Sequence, residues 1–169
     1  RCFKDLDTKL LNKTEIIYPS IEKRNKISKL NYITFVGRLN YSKGYDIYKN
    51  AILKILEEHS NWKALSIGDE SRRKIYINHN QHKELGFLNH KKTLSILDKS
   101  EIAVVPSRWN EPFGRVALEA TSCGCATITS NRGGLPETNN HTIRLKYNDS
   151  KTLYEEIKKL IHFYNLRFF

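Results

Sequence analysis

From residue 32 onward, short apolar runs alternate with longer stretches in which apolar residues recur every three or four positions. The short runs are typical of strands, and the amphipathic stretches are typical of helices. The pattern predicts strands at 33–37, 63–68, 84–87, 102–106, 125–129 and 142–145. It predicts helices at 44–59, 90–99, 114–122 and 150–165. This alternation indicates an α/β domain with a doubly wound parallel sheet.

The run Ile102-Ala103-Val104-Val105 supports a parallel sheet. It is apolar at every position, as expected of a strand that helices cover on both faces. Residues 1–31 are instead polar and rich in lysine. We therefore predict that 1–31 form a linker or edge segment and that 32–169 form the globular domain.

A first candidate site lies in residues 107–120, Ser-Arg-Trp-Asn-Glu-Pro-Phe-Gly-Arg-Val-Ala-Leu-Glu-Ala. Glu111 and Glu119 stand eight positions apart, and Pro112 is a residue favoured at the start of a helix. Eight helical residues rise about 12 Å, whereas the two carboxyls of a glycoside hydrolase lie roughly 5 to 9.5 Å apart. The spacing suits an extended ligand that carries hydroxyls at both ends and phosphate in the middle.

A second motif, Gly37-Arg38-Leu39-Asn40-Tyr41-Ser42-Lys43-Gly44, follows the first predicted strand. Arg38 can donate two hydrogen bonds to phosphate oxygens, and Lys43 adds a mobile positive charge. The helix that starts near Gly114 offers free N–H groups and about half a positive charge. Ligands bind open parallel sheets beyond the carboxyl ends of the strands, so we expect both motifs to face one crevice.

Together the two motifs resemble the C-terminal domain of the GT-B glycosyltransferases, in the large retaining family four, of the group 1 type. The family pattern is G-R-x(4)-K-G followed much later by E-P-F-G-x(4)-E, and the chain matches both parts in register. Gly133-Gly134-Leu135-Pro136-Glu137 extends a match that covers about residues 30–165. The resemblance implies a Rossmann-like sheet and the transfer of a sugar from a nucleotide-diphosphate donor with retention of configuration.

The resemblance also implies roles for individual residues. Arg38 and Lys43 would hold the diphosphate of the donor. Glu111 would accept hydrogen bonds from the sugar, and Glu119 would hold the ribose hydroxyls. Glu111, Arg38 and Lys43 are the expected catalytic residues. The expected donor-binding set is Gly37, Arg38, Lys43, Gly68, Phe87, Leu88, Glu111, Phe113, Gly114, Arg115, Val116 and Glu119.

Composition and charge limit the partners. With 39% hydrophobic and 28% charged residues the chain is globular, and it has no apolar run of the 18 residues that a membrane span needs. The net charge of +11 fits a basic solvated surface, with attraction to anionic membrane lipid as an alternative. The lysines are scattered along the chain and do not alternate with aromatic residues, so we expect no nucleic-acid partner. The six histidines show no metal-ligand spacing, so we expect neither a metal nor another cofactor.

The three cysteines indicate a reducing compartment. Cys123 and Cys125 are separated by one residue, which is too close for an ordinary disulfide. We expect them to be buried thiols. The expected location is the cytoplasm, with a peripheral position on the inner membrane face as the alternative.

Methionine is absent from the chain. A primary translation product normally begins with methionine, so we expect a domain of a longer protein. In the family that the chain resembles, the N-terminal domain binds the acceptor, which is unknown here; a lipid-linked acceptor would fit cell-envelope or exopolysaccharide synthesis. The alternative is a non-catalytic nucleotide-sugar-binding module, or a subunit that needs a separate catalytic partner.

Overall fold

The structure is a computed structural model that describes residues 15, 17–22, 24, 27–72 and 75–165. Within these residues the strands are β1 (Leu30–Val36), β2 (Lys63–Ile67), β3 (His82–Glu84), β4 (Ser100–Val105), β5 (Ala126–Thr129) and β6 (Ile143–Arg144). The helices are α1 (Tyr45–Glu58), α2 (His90–Lys99), α3 (Arg115–Ser122), α4 (Leu135–Thr138) and α5 (Ser150–Asn165).

The six strands form one sheet in the order β3-β2-β1-β4-β5-β6. Every neighbouring pair is parallel, and the central strand β1 sets the register, since Ile33 lies beside Ala64 on one side and Ile102 on the other. The chain builds outward from β1 to β3 and then returns to the other side of β1. This Rossmann-like, doubly wound α/β sheet confirms the predicted fold class.

Helices cover both faces of the sheet. On one face, α1 and α5 pack against alternate strand residues such as Ile33, Phe35 and Ile102. On the other face, α2 and α3 contribute to a smaller cluster that includes Ala103 and is packed against Val36. Neighbouring strand residues point to opposite faces, so both clusters need apolar side chains from the same strands. This explains the unbroken apolar run in β4.

The sequence pattern predicted the positions of the elements well. The bounds of α2 and α5 coincide with the predicted ones, α1 is one residue shorter at each end, and α3 begins one residue later. All six strands are present with shifted ends, because pairing with neighbours rather than apolar character decides where a strand ends. The sequence missed α4, whose four residues are too few to show helical periodicity.

Strand β1 begins at Leu30, so the sheet starts slightly before the predicted domain boundary at residue 32. Most of the predicted linker, 1–31, lies outside the described residues, and its assignment stays a prediction. Among the helices of the described residues, none has both the length and the apolar character to cross a bilayer.

The strand order fixes where a ligand can bind. Since β1 and β4 are neighbours and the chain turns in opposite directions from them, the loops that follow these strands diverge above the carboxyl edge of the sheet. These are the loops that carry the two sequence motifs. The fold therefore brings residues 37–44 and 106–114 to one place.

Candidate functional site

The two motif loops are held together by main-chain and side-chain contacts. The backbone N–H groups of Arg108 and Trp109 both donate to the carbonyl of Ser42, at 2.9 and 3.0 Å. The Arg108 guanidinium donates to both carboxylate oxygens of Asp46, at 2.6 and 2.7 Å, and lies 3.7 Å from the centre of the Tyr41 ring. Arg108 thus joins the loop after β4 to the loop after β1.

Lys43 and Glu111 meet directly in this arrangement. Lys43 Nζ donates to Glu111 Oε1 at 2.5 Å, across a separation of 68 residues in sequence. The hydroxyl of the buried Ser107 donates to the same oxygen at 2.9 Å. The side chains of Lys43 and Glu111 are 29% and 14% exposed, so a charged pair borders the interior while remaining open to a ligand.

A cavity of about 390 Å³ opens beside this pair. We call it the Lys43 cavity. Its walls come from the ends of β1 and β4, from the two motif loops, from the start of α3 and from the segment before β1. The lining residues are Pro19, Phe35, Val36, Gly37, Lys43, Val105, Ser107, Glu111, Pro112, Phe113, Gly114, Arg115 and Val116. Seven of the expected donor-binding residues are among them.

Gly114 permits the backbone to enter α3 at this point. It caps the helix with a φ of 96°, in the left-handed region, which glycine adopts without steric cost. A Cβ at this position would lie 2.5 Å from Leu135 Cδ2. The left-handed backbone and the close approach of Leu135 both require glycine here, and they keep the first N–H groups of α3 beside the cavity. A helix N-terminus in this position attracts anions.

The Gly133-Gly134 pair supports the loop that carries Glu111. The N–H of Gly134 donates to the Glu111 carbonyl at 2.6 Å, and the Thr138 hydroxyl donates to the Phe113 carbonyl. A Cβ on Gly134 would lie only 2.3 Å from the Pro112 carbonyl oxygen. The sequence showed this glycine pair as part of a family pattern but gave it no role, because its partner is more than twenty residues away.

Glu119 lies in a second cavity, of about 290 Å³, which shares Pro19 and Arg115 with the first. We call it the Glu119 cavity. His90 Nε2 lies 3.2 Å from Glu119 Oε1, and Arg115 Nη2 lies 3.5 Å from the same oxygen. The two carboxylates of the first motif therefore border two adjoining cavities. Glu111 lies before the first residue of α3, Arg115, so the helical rise assumed from the eight-residue spacing does not apply between them.

Arg38 is at the same edge of the sheet but does not line the Lys43 cavity. Its exposed side chain borders a separate cavity with the polar residues of the loop after β2, and its charge helps to hold the pKa of Glu70 below the ordinary value. The main cause of that lowered pKa is a hydrogen bond from Asn40 to Glu70, at 2.7 Å. Phosphate binding by Arg38 stays a prediction.

Gly68, Phe87 and Leu88 of the expected donor-binding set line neither of the two cavities. The N–H of Gly37 donates at 2.9 Å to the carbonyl of Ile67, the residue before Gly68, so Gly68 lies against the first motif. The N–H of Gly68 donates at 2.8 Å to the carbonyl of Gly86, the residue before Phe87, which is 78% exposed. Donor binding by these three residues stays a prediction.

The segment before β1 forms one side of both cavities. Pro19 lines each of them, and the Tyr18 ring lies 5.9 Å from the Phe113 ring. Further along, Arg24 donates two hydrogen bonds to Asp98, at 2.7 and 2.6 Å, and these hold the pKa of Asp98 below its ordinary value. Sequence reasoning did not anticipate this ion pair, since an arginine in a lysine-rich stretch carries no pattern.

The two C-terminal cysteines fit the expected structural role. Cys123 and Cys125 are buried and unpaired with each other, and burial raises the pKa of each thiol to about 12. Both thiols therefore stay protonated near neutral pH. In the described part of the chain, no cluster of three or more His, Cys, Asp or Glu side chains is arranged to hold a metal ion.

Comparisons of the sequence with known proteins show which family the chain belongs to. The sequence model of the family described as Glycosyl transferases group 1 matches residues 18–167. An uncharacterised glycosyltransferase from Methanocaldococcus jannaschii is 38% identical over 118 residues, which cover 66% of this chain and 30% of that protein. The chain thus spans about a third of the length of this curated relative.

Solved structures show the same fold. The C-terminal domain of a glycosyl transferase group 1 family protein, LpcC, from Francisella tularensis superimposes with a TM-score of 0.70 at 23% identity, covering 86% of this chain and 85% of that one. HepE from Anabaena, crystallised with UDP-glucose, has a TM-score of 0.66 at 22% identity over 78% of this chain and 39% of its own. The chain belongs to the group 1 glycosyltransferases, and its fold is that of the C-terminal domain of a GT-B enzyme.

Proposed function

We propose that this domain binds a nucleotide-diphosphate sugar across the Lys43 and Glu119 cavities and presents it for transfer of the sugar with retention of configuration. The observation that carries the proposal is the 2.5 Å contact between Lys43 Nζ and Glu111 Oε1 at the start of α3. A cation, a carboxylate and a helix N-terminus then share one opening. The complex of HepE with UDP-glucose supports a donor of this chemical class.

The diphosphate is the part of the donor that the Lys43 cavity suits best. Lys43 supplies a positive charge on a flexible side chain, and the first turn of α3 supplies N–H donors and the positive end of the helix dipole. As the bond between the sugar and the diphosphate breaks, negative charge grows on the departing phosphate. Lys43, Arg38 and the N–H groups near Phe113 and Gly114 would stabilise that charge in place of water.

Glu111 is the proposed sugar-binding carboxylate. Its Oε1 already accepts hydrogen bonds from Lys43 and Ser107, which leaves Oε2 as the acceptor for sugar hydroxyls. A carboxylate held at one oxygen by two donors keeps a fixed orientation, and orientation is what a reacting sugar requires. Among the described residues around Glu111, we assign no side chain as the nucleophile that attacks the reacting carbon. Attack by the acceptor on the face that the diphosphate leaves would retain the configuration of the sugar.

Glu119 is the proposed ribose-binding residue, one cavity further along α3. The two carboxylates would then contact the sugar and the ribose at the two ends of the donor. Gly37, Arg115 and Val116 would complete the walls around the phosphates. Gly68, Phe87 and Leu88 would flank the base.

The whole protein's activity is a further part of the proposal. The chain spans 30% of the length of the archaeal relative, and an acceptor site on another domain fits a cytoplasmic enzyme of cell-envelope synthesis. The basic surface would attract anionic lipid and so bring the enzyme to a lipid-linked acceptor. No metal takes part in the proposed transfer, because lysine, arginine and helix N–H groups supply the positive charge.

Calorimetry with UDP, GDP and ADP tests the donor proposal. The wild type should bind at least one of them, Lys43→Ala should weaken binding by about tenfold or more, and EDTA should change nothing. Lys151→Ala, which removes an exposed lysine at the start of α5, is the matched control. Equal affinity of the Lys43→Ala variant and the wild type would remove the phosphate assignment. Sugar transfer by the full-length protein distinguishes the enzyme from the alternative, a binding module without turnover.

A further inference from the structure

His90 contacts the proposed ribose carboxylate, although neither sequence motif includes it. Its Nε2 and Arg115 Nη2 lie 3.2 and 3.5 Å from Glu119 Oε1. The Glu119 side chain is 10% exposed, while that of His90 is 59% exposed. Two nitrogen groups therefore meet on one oxygen of a nearly buried carboxylate, and Oε2 is the oxygen that remains available to a ligand.

The placement of His90 has no explanation in the stability of its own helix. It is the first residue of α2, whose N-cap Asn89 accepts a hydrogen bond from the Lys92 N–H at 3.0 Å. The positive end of a helix dipole favours acidic residues in the first turn and disfavours a protonated imidazole. What fixes the side chain is its contact with α3, because α2 packs beside α3 on the same face of the sheet.

We propose that His90 is a positioning residue that holds Glu119 in the orientation needed to accept a hydrogen bond from the 2′-hydroxyl of a ribonucleotide. The inference rests on the proposed function, which places the ribose at Glu119. An imidazole N–H donates a hydrogen bond to Oε1 and so keeps the carboxylate from turning away from the ribose. Removal of the imidazole should therefore weaken the selection of ribose over deoxyribose.

Several other charged groups surround His90 and enter the design of the test. Those on α3 are Glu119 and Arg115; those on the segment before β1 are Glu22 and Arg24; those on α2 itself are Lys91 and Lys92. At one fixed pH these groups are the same in the wild type and in the His90 variants. A loss of preference on replacing His90 therefore belongs to the imidazole.

The test compares UDP, GDP and ADP with their 2′-deoxy analogues by calorimetry at one fixed pH. The wild type should prefer the ribonucleotide by about tenfold. His90→Ala should lose most of the preference while its affinity for inorganic diphosphate stays unchanged. In His90→Gln, the amide nitrogen reaches nearly as far as Nε2, so this conservative variant should restore most of the preference.

His162→Gln, which replaces an exposed histidine on α5, is the matched control and should behave as the wild type. If His90→Ala keeps the wild-type preference, or if the wild type does not distinguish the two sugars, the inference is overturned and the donor proposal stands. A wild type that binds none of the nucleotides contradicts both.

Discussion

Gly134→Ala should displace the loop that carries Glu111 without an intrinsic backbone penalty. Gly134 has φ −85° and ψ −2°, a helical conformation that alanine adopts freely. The added Cβ would nevertheless lie 2.3 Å from the Pro112 carbonyl oxygen and 2.9 Å from Phe113 Cα. Contacts of a Cβ below 3.0 Å are essentially never found, so the Pro112 carbonyl must move by about 0.7 Å.

The size of the effect follows from this displacement. Overpacking of a well-packed site costs about 1–3 kcal/mol of folding free energy, and a shift near 1 Å at a reacting group can cost about a hundredfold in rate. We expect Gly134→Ala to lower the free energy of unfolding by about 1–2 kcal/mol. Its affinity for UDP-glucose should fall by about tenfold relative to its affinity for UDP, because the sugar contacts depend on Glu111.

Urea unfolding and calorimetry with both ligands measure the two quantities. Gly124→Ala is the control, because it meets only the Lys29 side chain, at 3.6 Å, and carries the backbone cost of a left-handed residue, φ 79°, away from the cavities. It should lose about 1 kcal/mol of stability with no change in the ratio of the two affinities. A Gly134→Ala variant with the wild-type ratio would refute the role of the glycine pair in positioning Glu111.

Three other predictions concern the ribose carboxylate, the half-buried His82 and the ion pair between Arg24 and Asp98. Glu119→Ala should weaken nucleotide binding by about tenfold or more but leave the affinity for bare diphosphate unchanged, as measured by calorimetry; an equal loss for both ligands would contradict the ribose role. Burial lowers the pKa of His82, whose Nε2 lies 2.9 Å from Ser66 Oγ, so the unfolded chain binds the proton more readily and urea unfolding should show stability falling as the pH drops below about 6.5. In His82→Gln this part of the pH dependence should be absent, and its persistence would assign it to other groups. Arg24→Ala should leave the largely buried Asp98 without its partner, and thermal unfolding should show a loss of about 1–3 kcal/mol; an unchanged midpoint would mean that the pair contributes nothing.

The neutral form of His82 is the form that the surrounding hydrogen bonds require. The Ile77 carbonyl, 3.2 Å from Nδ1, can only accept a hydrogen bond, so Nδ1 carries the proton. Tyr45 donates to Ser66 Oγ at 3.0 Å, which leaves the Ser66 hydroxyl to donate to Nε2. A second proton on the ring would lie on Nε2, and the Ser66 hydroxyl would then have lost the atom that accepts its hydrogen bond.

The fold could be predicted from the sequence because burial leaves a visible signal in it. Burial on two faces gives β4 an unbroken apolar run, and burial on one face gives the helices an apolar residue every three or four positions. The meeting of Lys43 and Glu111 was also predictable, since parallel strands place the loops that follow them at one edge of the sheet. The direction of the Arg38 side chain was not predictable. It is exposed and borders a polar cavity with Glu70 and Arg72 rather than the Lys43 cavity.

The supporting contacts of the site escaped sequence reasoning for a different reason. His90 and the Gly133-Gly134 pair each act on a carboxylate or a carbonyl more than twenty residues away, and Ser107 acts on Glu111 within one loop. Hydrogen bonds between distant polar residues leave no periodicity, and a single serine, histidine or glycine is common on any protein surface. These partners become visible only when the loops have been placed in three dimensions.

A crystal structure of this domain with UDP-glucose tests the central claim most directly. The account predicts that the diphosphate lies within hydrogen-bond distance of Lys43 Nζ and the first N–H groups of α3, with the sugar against Glu111 and the ribose against Glu119. A diphosphate bound instead among Asp69, Glu70 and Arg72, or a sugar remote from Glu111, would contradict it.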